Sequence, residues 1–137
     1  MLGEKIGELR GKVTGTRVLP SETGTPKIEV SFDISATMLG ADATMMGTYW
    51  SCVRPDGTIY GECPKQGVIM TRDGGNGTWG GAGIGHFTGE GTAVSYRGGI
   101  YFQTAPKQLA RLTSTAIVYE WDVDENGGAK ANFWEWK

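Results

Sequence analysis

Hydrophobic and polar residues alternate along much of the chain, most clearly between residues 28 and 38. Every even position in this segment is apolar, and every odd position between them is polar or charged. Successive side chains of a β-strand point to opposite faces, so this period of two predicts one long strand with a buried face and a wet face. A helix is excluded here, because it would place Ile28 and Phe32 on faces that overlap those of Glu29 and Asp33.

Turn signals divide the rest of the chain into further strands of similar length. Pro55-Asp56-Gly57 predicts a hairpin turn, and Asn126-Gly127 favours a tight two-residue hairpin. Pro64 cannot donate a ladder hydrogen bond, so it marks a bulge or an edge. Residues 106–111 are the one segment in which a helical turn is expected. The predicted strands cover residues 5–19, 26–39, 43–54, 58–71, 78–88, 92–104, 112–123 and 129–136.

Eight long strands with short connections predict an all-β, antiparallel, up-and-down meander. Such a sheet has two exposed edges unless it closes, and closure at eight strands leaves an interior that is filled by side chains or holds a small ligand. We therefore expect a single β-barrel domain over residues 1–137, with a two-sheet sandwich as the alternative fold.

Composition and charge exclude several classes of function. The net charge is −2 and the basic residues are scattered, which argues against a nucleic-acid partner. No apolar run is long enough to span a bilayer, and the first residues lack the apolar stretch of a secretory signal, so a cytoplasmic protein is expected.

No cofactor or metal site is expected either. The pattern Gly75-Asn76-Gly77-Thr78-Trp79-Gly80 resembles a dinucleotide fingerprint but lacks the helix that would meet the phosphates. Asp122 to Gly127 resembles the first half of a calcium loop, yet Phe133 stands where the closing acid is required. Cys52 and Cys63 are offset across their hairpin by too many residues to form a disulfide.

Glycine is the most unusual part of the composition, with 23 residues. Gly81, Gly83 and Gly85 lie on one face of the fifth predicted strand, where missing side chains would form a shallow groove. A neighbouring aromatic ring, a ligand or another subunit could fill it. We place this groove on the outer wall and favour subunit packing, which predicts a homo-oligomer.

Two titratable residues are candidates for proton transfer. His86 is the only histidine, and its ordinary pKa lies near neutrality. If a three-residue loop pairs Thr88 with Thr92, His86 faces inward near the barrel rim, but a two-residue loop would reverse this. Glu120 lies between aromatic residues, where desolvation could raise its pKa. Each could equally be structural or exposed.

Four aromatic residues are predicted to line a pocket in the barrel: Trp50, Tyr96, Phe102 and Tyr119. Large aromatic side chains with a few polar groups are typical of small-molecule sites. The alternative is that these rings only fill the core.

Five short motifs are distributed over most of the chain: Met46-Gly47-Thr48-Tyr49-Trp50, Arg54-Pro55-Asp56-Gly57, Gly85-His86-Phe87-Thr88-Gly89, Ala93-Val94-Ser95-Tyr96-Arg97-Gly98 and Trp134-Glu135-Trp136-Lys137. They resemble a family of short bacterial proteins of unassigned function, which is in turn similar to the allene oxide cyclase-like, calycin-type small barrels. The resemblance implies an eight-stranded barrel with an apolar cavity and frequent trimers. It carries over no catalytic residue.

Three functions are compatible with these features. The first is a barrel that binds a small hydrophobic or aromatic molecule. The second is a cofactor-free isomerase or cyclase that uses His86 and Glu120 for proton transfer. The third is an oligomeric structural protein with a filled core.

Overall fold

The structure, a computed structural model, describes residues 1–89 and 91–137. It confirms the predicted all-β fold. Its elements are β1 (Leu2–Val18), β2 (Lys27–Met38), β3 (Ala41–Val53), β4 (Ile59–Met70), β5 (Asn76–Phe87), β6 (Val94–Phe102), a 3-10 helix (Lys107–Ser114), β7 (Ile117–Val123) and β8 (Gly128–Trp136).

The eight strands form a closed antiparallel barrel in sequence order, and the last strand pairs with the first. The β1–β8 ladder runs from Leu2 opposite Trp136 to Lys12 opposite Gly128. Closure removes the two sheet edges that an open meander would expose, so the sandwich alternative is wrong. Beyond Lys12, β1 continues alongside β2 as far as Val18.

The inward faces of the strands carry the core predicted by the alternation. On β2, Phe32, Ile34, Ala36 and Met38 are all buried, whereas Asp33 between them is exposed. The predicted bulge at Pro64 is also present, because β4 pairs with β5 through Cys63 and resumes only at Gly67.

The 3-10 helix covers one end of the barrel. Leu109 and Leu112 project into the core and are 0% and 1% exposed. The seventh strand was predicted to begin at residue 112 but begins at Ile117, because Leu112 belongs to this helix. Among the described residues, no helix is long and apolar enough to cross a bilayer.

The connection between β5 and β6 is one residue longer than the three-residue loop on which the predicted faces of β5 depended. One residue of this connection, Glu90, lies outside the described residues. The amide of Thr88 donates to the carbonyl of Ala93, and Phe87 lies opposite Val94. Four residues therefore separate Thr88 from Ala93, and this even number reverses the faces predicted for β5.

The inward face of β5 consequently carries the glycine strip, which we had placed on the outer wall. Gly85 lies opposite Tyr96, and a Cβ atom at residue 85 would be 2.7 Å from Cδ1 of that ring. A Cβ at Gly83 would meet the hydroxyl of Tyr119. The rings of Tyr96 and Tyr119 occupy the space over Gly85 and Gly83, and Gly81 borders the interior cavity, so these glycines do not support subunit packing.

The hairpin between β7 and β8 is also one residue longer than the predicted Asn-Gly turn. The Asp124 carboxylate accepts hydrogen bonds from the amides of Asn126 and Gly128, at 2.9 and 2.8 Å. Gly127 has a φ of 86°, a left-handed conformation that favours glycine. The three-residue loop places Tyr119 opposite Phe133, whereas the shorter turn had paired Tyr119 with Trp134.

We expect Gly85→Ala to lower the free energy of unfolding by about 1–3 kcal/mol, a typical penalty for overpacking a core. The added methyl group would press on the Tyr96 ring, which is 3% exposed and has little room to move. Urea unfolding measures this change.

Gly99→Ala is the matched control in the adjacent strand. The nearest atom to its new Cβ would be the Ile117 carbonyl oxygen at 3.6 Å, an ordinary contact. We expect a change within about 0.5 kcal/mol, because an uncrowded alanine also restricts the unfolded chain. Equal losses in the two variants would contradict the proposed packing of Tyr96.

Candidate functional site

A cavity of about 70 Å³ lies inside the barrel. Its walls are mostly aromatic and aliphatic, with Ile34, Met45 and Ile100 among the aliphatic side chains. The aromatic residues on the walls are Phe32, Tyr49, Trp79, Tyr96, Tyr119, Trp121 and Phe133. One water molecule takes up about 30 Å³ in the liquid, and a cavity of about 150 Å³ can bind benzene. The space is therefore smaller than the ligand-sized pocket that we expected.

A cluster of four aromatic rings forms one part of the cavity wall. The Phe32 and Trp121 ring centroids are 4.8 Å apart, and the Tyr49 ring meets that of Tyr96 edge-on at 6.0 Å. The Trp121 indole Nε1 donates a hydrogen bond to the Tyr49 hydroxyl at 3.3 Å. Tilted and edge-on contacts of this kind stabilise aromatic pairs beyond simple burial. We call Phe32, Tyr49, Tyr96 and Trp121 the aromatic cluster.

The tyrosine hydroxyls of the cavity remain protonated well above neutral pH. Burial raises the pKa of Tyr49 to about 12, although the hydrogen bond from Trp121 opposes the shift. Burial also raises the pKa of Tyr96 and of Tyr119, and the nearby Tyr49 adds electrostatic repulsion in both cases. These groups can donate hydrogen bonds to an occupant without carrying charge.

Cys63 is a fourth titratable group on the cavity wall. Its side chain is buried, and its thiol is free. Burial raises the pKa of this thiol, against hydrogen bonds from the backbone at Gln66 and Thr48. A protonated, desolvated thiol is a weak nucleophile, so Cys63 behaves as a small apolar wall residue.

Trp79 contributes an unpaired donor to this region. Its side chain is 6% exposed, and its indole Nε1 has no hydrogen-bond partner within residues 1–89 and 91–137. Its ring lies against Gly67 and within 6.0 Å of the Phe32 ring centroid. Buried donors without acceptors are rare and unfavourable, so this indole nitrogen is a local cost to the packing of the described residues.

Two of the four predicted ligand-binding residues line the cavity, namely Tyr96 and Tyr119. Phe102 is buried opposite Trp79 but does not border the open space. Trp50 lies on the outer wall, where its ring contacts that of Tyr60 at 5.4 Å and the Lys27 ammonium at 4.8 Å. The binding roles of all four stay predictions.

His86 does not line the cavity. It is exposed on the outer face of β5, opposite Ser95, because the even-numbered connection to β6 reverses that strand. The three-residue loop on which an inward-facing His86 depended is absent, so the reversed orientation holds. Its assignment as a catalytic residue stays a prediction without support from its position.

Glu120 also lies on the outer wall, on the face of β7 opposite to Tyr119 and Trp121. The Arg97 guanidinium lies 3.5 Å from its carboxylate, and the Asn132 amide donates to it at 3.3 Å. The side chain is 35% exposed, so it is not the desolvated carboxylate that the sequence suggested. Its role in proton transfer likewise stays a prediction.

Tyr49, Trp79 and Trp121 also line the cavity, although they were not predicted as wall residues. Alternation of Ala43, Met45 and Gly47 could have placed Tyr49 on the inward face of β3. However, Met46 and Trp50 make the opposite face of β3 partly apolar too, so alternation alone did not determine which face points inward. The face of β5 on which Trp79 lies depends on the length of the connection between β5 and β6.

Comparisons with known proteins show the fold and leave the function open. No protein-family model matches the chain, and no curated protein matches it. The chain is similar to the crystal structure of a protein of unknown function from Clostridium acetobutylicum ATCC 824, at 14% identity and a TM-score of 0.79, covering 98% of both chains. It is also similar to a conserved protein of unknown function from Rhodopseudomonas palustris, at 13% identity and a TM-score of 0.80, covering 98% of this chain and 97% of that one.

The buried Tyr49 phenol should make stability depend on pH in alkaline solution. Its pKa is about 12 in the folded chain and 10.0 ordinarily, so the unfolded chain releases this proton first as the pH rises. The stabilisation is complete below pH 10 and is lost as the pH rises through about 12. One pKa unit corresponds to about 1.4 kcal/mol, so the expected loss is about 2–3 kcal/mol.

Urea unfolding of the wild type and of Tyr49→Phe over this pH range measures the effect. The variant keeps the ring and removes the ionisable group, so its free energy of unfolding should fall less steeply with pH. Parallel pH profiles would show that Tyr49 is not desolvated in the folded chain.

Proposed function

We propose that the barrel binds a small hydrophobic or aromatic molecule in its cavity. The observation that carries this proposal is an apolar space, walled by aromatic rings, inside one continuous core of buried side chains. Dry apolar cavities take up apolar molecules, because the occupant regains the packing contacts that the empty space lacks.

The small volume limits the occupant or requires the walls to move. Met45 borders the cavity, and its unbranched side chain can repack around a guest more easily than a ring can. The end of the barrel away from the 3-10 helix is the proposed entrance. Phe87, on the same face of β5 as Gly85, is 47% exposed there.

A cofactor-independent isomerase or cyclase is the alternative, and the resemblance to allene oxide cyclase-like barrels belongs to this alternative. Such a reaction would need a proton carrier beside the cavity. His86 and Glu120 lie on the outer wall, and the hydroxyls of Tyr49 and Tyr119 have raised pKa values that oppose proton release. We therefore favour binding over catalysis.

Xenon and benzene test the proposal at two sizes. We expect both to shift the methyl resonances of Met45 and Ile100 in NMR spectra, and benzene at about 100 times its Kd should add about 2.7 kcal/mol to the free energy of unfolding. Uptake of xenon without any ring-sized molecule would favour the third reading, a structural protein with a filled core.

Ile100→Phe should block the cavity, because the larger side chain would occupy space that Ile100 borders. We expect loss of benzene binding with little change in stability. Ile84→Phe is the matched control on the outer wall, where Ile84 is 42% exposed, and it should bind benzene like the wild type. Retained binding in Ile100→Phe would contradict the cavity as the site.

Self-association is a further part of the proposal, with a trimer favoured by the family resemblance. It is supported by apolar residues on the outer wall, including Ile84 and the partly exposed Trp50 and Tyr60. Light scattering is expected to give the mass of a trimer. A monomeric mass would remove this part of the proposal and leave the binding function untouched.

A further inference from the structure

We propose that the outer wall formed by β4, β5 and β6 is the surface through which two copies of this chain associate. We call this surface the apolar face and define it by Tyr60, Ala82, Ile84, Gly99 and Tyr101. The inference rests on the self-association part of the proposed function, and it names the contact surface and the partner. It does not depend on what the cavity binds.

The first argument is the uneven distribution of charge around the barrel. Aspartate, glutamate, lysine and arginine supply six residues of β1 and three of β2, but only one of β3, two of β4, none of β5 and one of β6. Charged residues are depleted at the centres of protein interfaces. The half of the wall centred on β5 therefore has the composition of an interface, whereas the half centred on β1 has that of a solvated surface.

The second argument is that apolar side chains of this face lie in water. Ile84 is 42% exposed and Tyr101 is 46% exposed. Tyr60 lies opposite Ile84 in the ladder between β4 and β5, and its ring contacts that of Trp50 on β3 at 5.4 Å. These residues are neighbours across adjacent strands, so they form one patch. Exposed apolar patches with polar rims mark interaction sites.

The charged residues beside the apolar face already have partners within the chain. Arg97, which lies opposite Ile84, has its guanidinium 3.5 Å from the Glu120 carboxylate on β7. The Glu62 carboxylate accepts a hydrogen bond from the Tyr60 hydroxyl. Covering this face would therefore not isolate either charge from a partner, and an isolated buried charge is strongly destabilising.

The third argument is that the face carries both a hollow and a projecting side chain. Gly99 is exposed and lies opposite Ala82. A Cβ atom at residue 99 would meet, among the described residues, only the Ile117 carbonyl oxygen at 3.6 Å. The two small residues thus form a hollow, and Ile84 projects beside it. Ile84 of a second copy can fill this hollow, so the surface can pack against itself.

The size of the face also fits a second copy. A stable interface covers about 800 Å² of each partner, and the surface of this chain measures 7568 Å². Three of the eight strands present the apolar face, so it can supply an area of this order. A partner of another sequence would leave the face in water whenever that partner was scarce. A second copy is always present at the concentration of the chain itself.

The experiment measures the mass of the full chain against concentration by sedimentation equilibrium. Ile84→Lys places a charge at the centre of the apolar face, and Gly99→Phe fills the hollow. Thr37→Lys is the matched control, because Thr37 is exposed on β2 in the charged half of the wall, opposite Asp42, where a lysine finds an opposite charge. Circular dichroism and urea unfolding establish that each variant is folded.

We expect Ile84→Lys and Gly99→Phe each to weaken association about 30-fold or more, the effect of losing a central contact of an interface. Thr37→Lys should stay within about threefold of the wild type, as is usual for an exposed substitution away from the contact. Residues 84 and 99 are both exposed in the single chain, so both variants should fold. If one does not fold, the other tests the face alone.

The outcomes separate this inference from the proposed function. A wild type that stays monomeric at every concentration would remove self-association and this inference together. Association that both Ile84→Lys and Gly99→Phe leave unchanged would overturn the inference and keep self-association through another surface. An equal loss in Thr37→Lys would also overturn it, because the added charge alone would then explain the effect. Cavity binding is tested separately by xenon and benzene.

Discussion

Pairing of the last strand with the first is the constraint from which the interior follows. The β1–β8 ladder fixes the number of strands at eight, and a barrel of this size has an interior only wide enough for its own side chains or one small guest. Large rings can enter such a space only where a facing strand has no side chain. The glycines of β5 supply these positions for Tyr96 and Tyr119.

The limited interior volume also determines which polar and charged groups lie inside the barrel. Glu120, which the sequence suggested as a proton carrier, pairs with Arg97 on the outer wall. The interior retains neutral hydroxyls, a thiol and the indole of Trp79. Neutral groups of this kind can donate hydrogen bonds, but their raised pKa values give them little capacity to move protons near neutral pH.

The sequence was sufficient for the fold and insufficient for the site. Alternation on β2 and the turn at Pro55-Asp56-Gly57 are local signals, and they predicted the strands well. The direction in which His86 points depends on whether the connection between Thr88 and Ala93 has an odd or an even number of residues. One additional residue in that connection moves every side chain of the strand to the opposite face. The cavity of about 70 Å³ is the small difference between the volume that the barrel encloses and the volume of the side chains inside it. Neither can be read from residue types alone.

Leu109 and Leu112 of the 3-10 helix close one end of the barrel, so the barrel is not a channel open at both ends. A molecule inside such a barrel would have to enter and leave at the opposite end. A closed end of this kind is compatible with enclosing a molecule and incompatible with conducting one through the barrel.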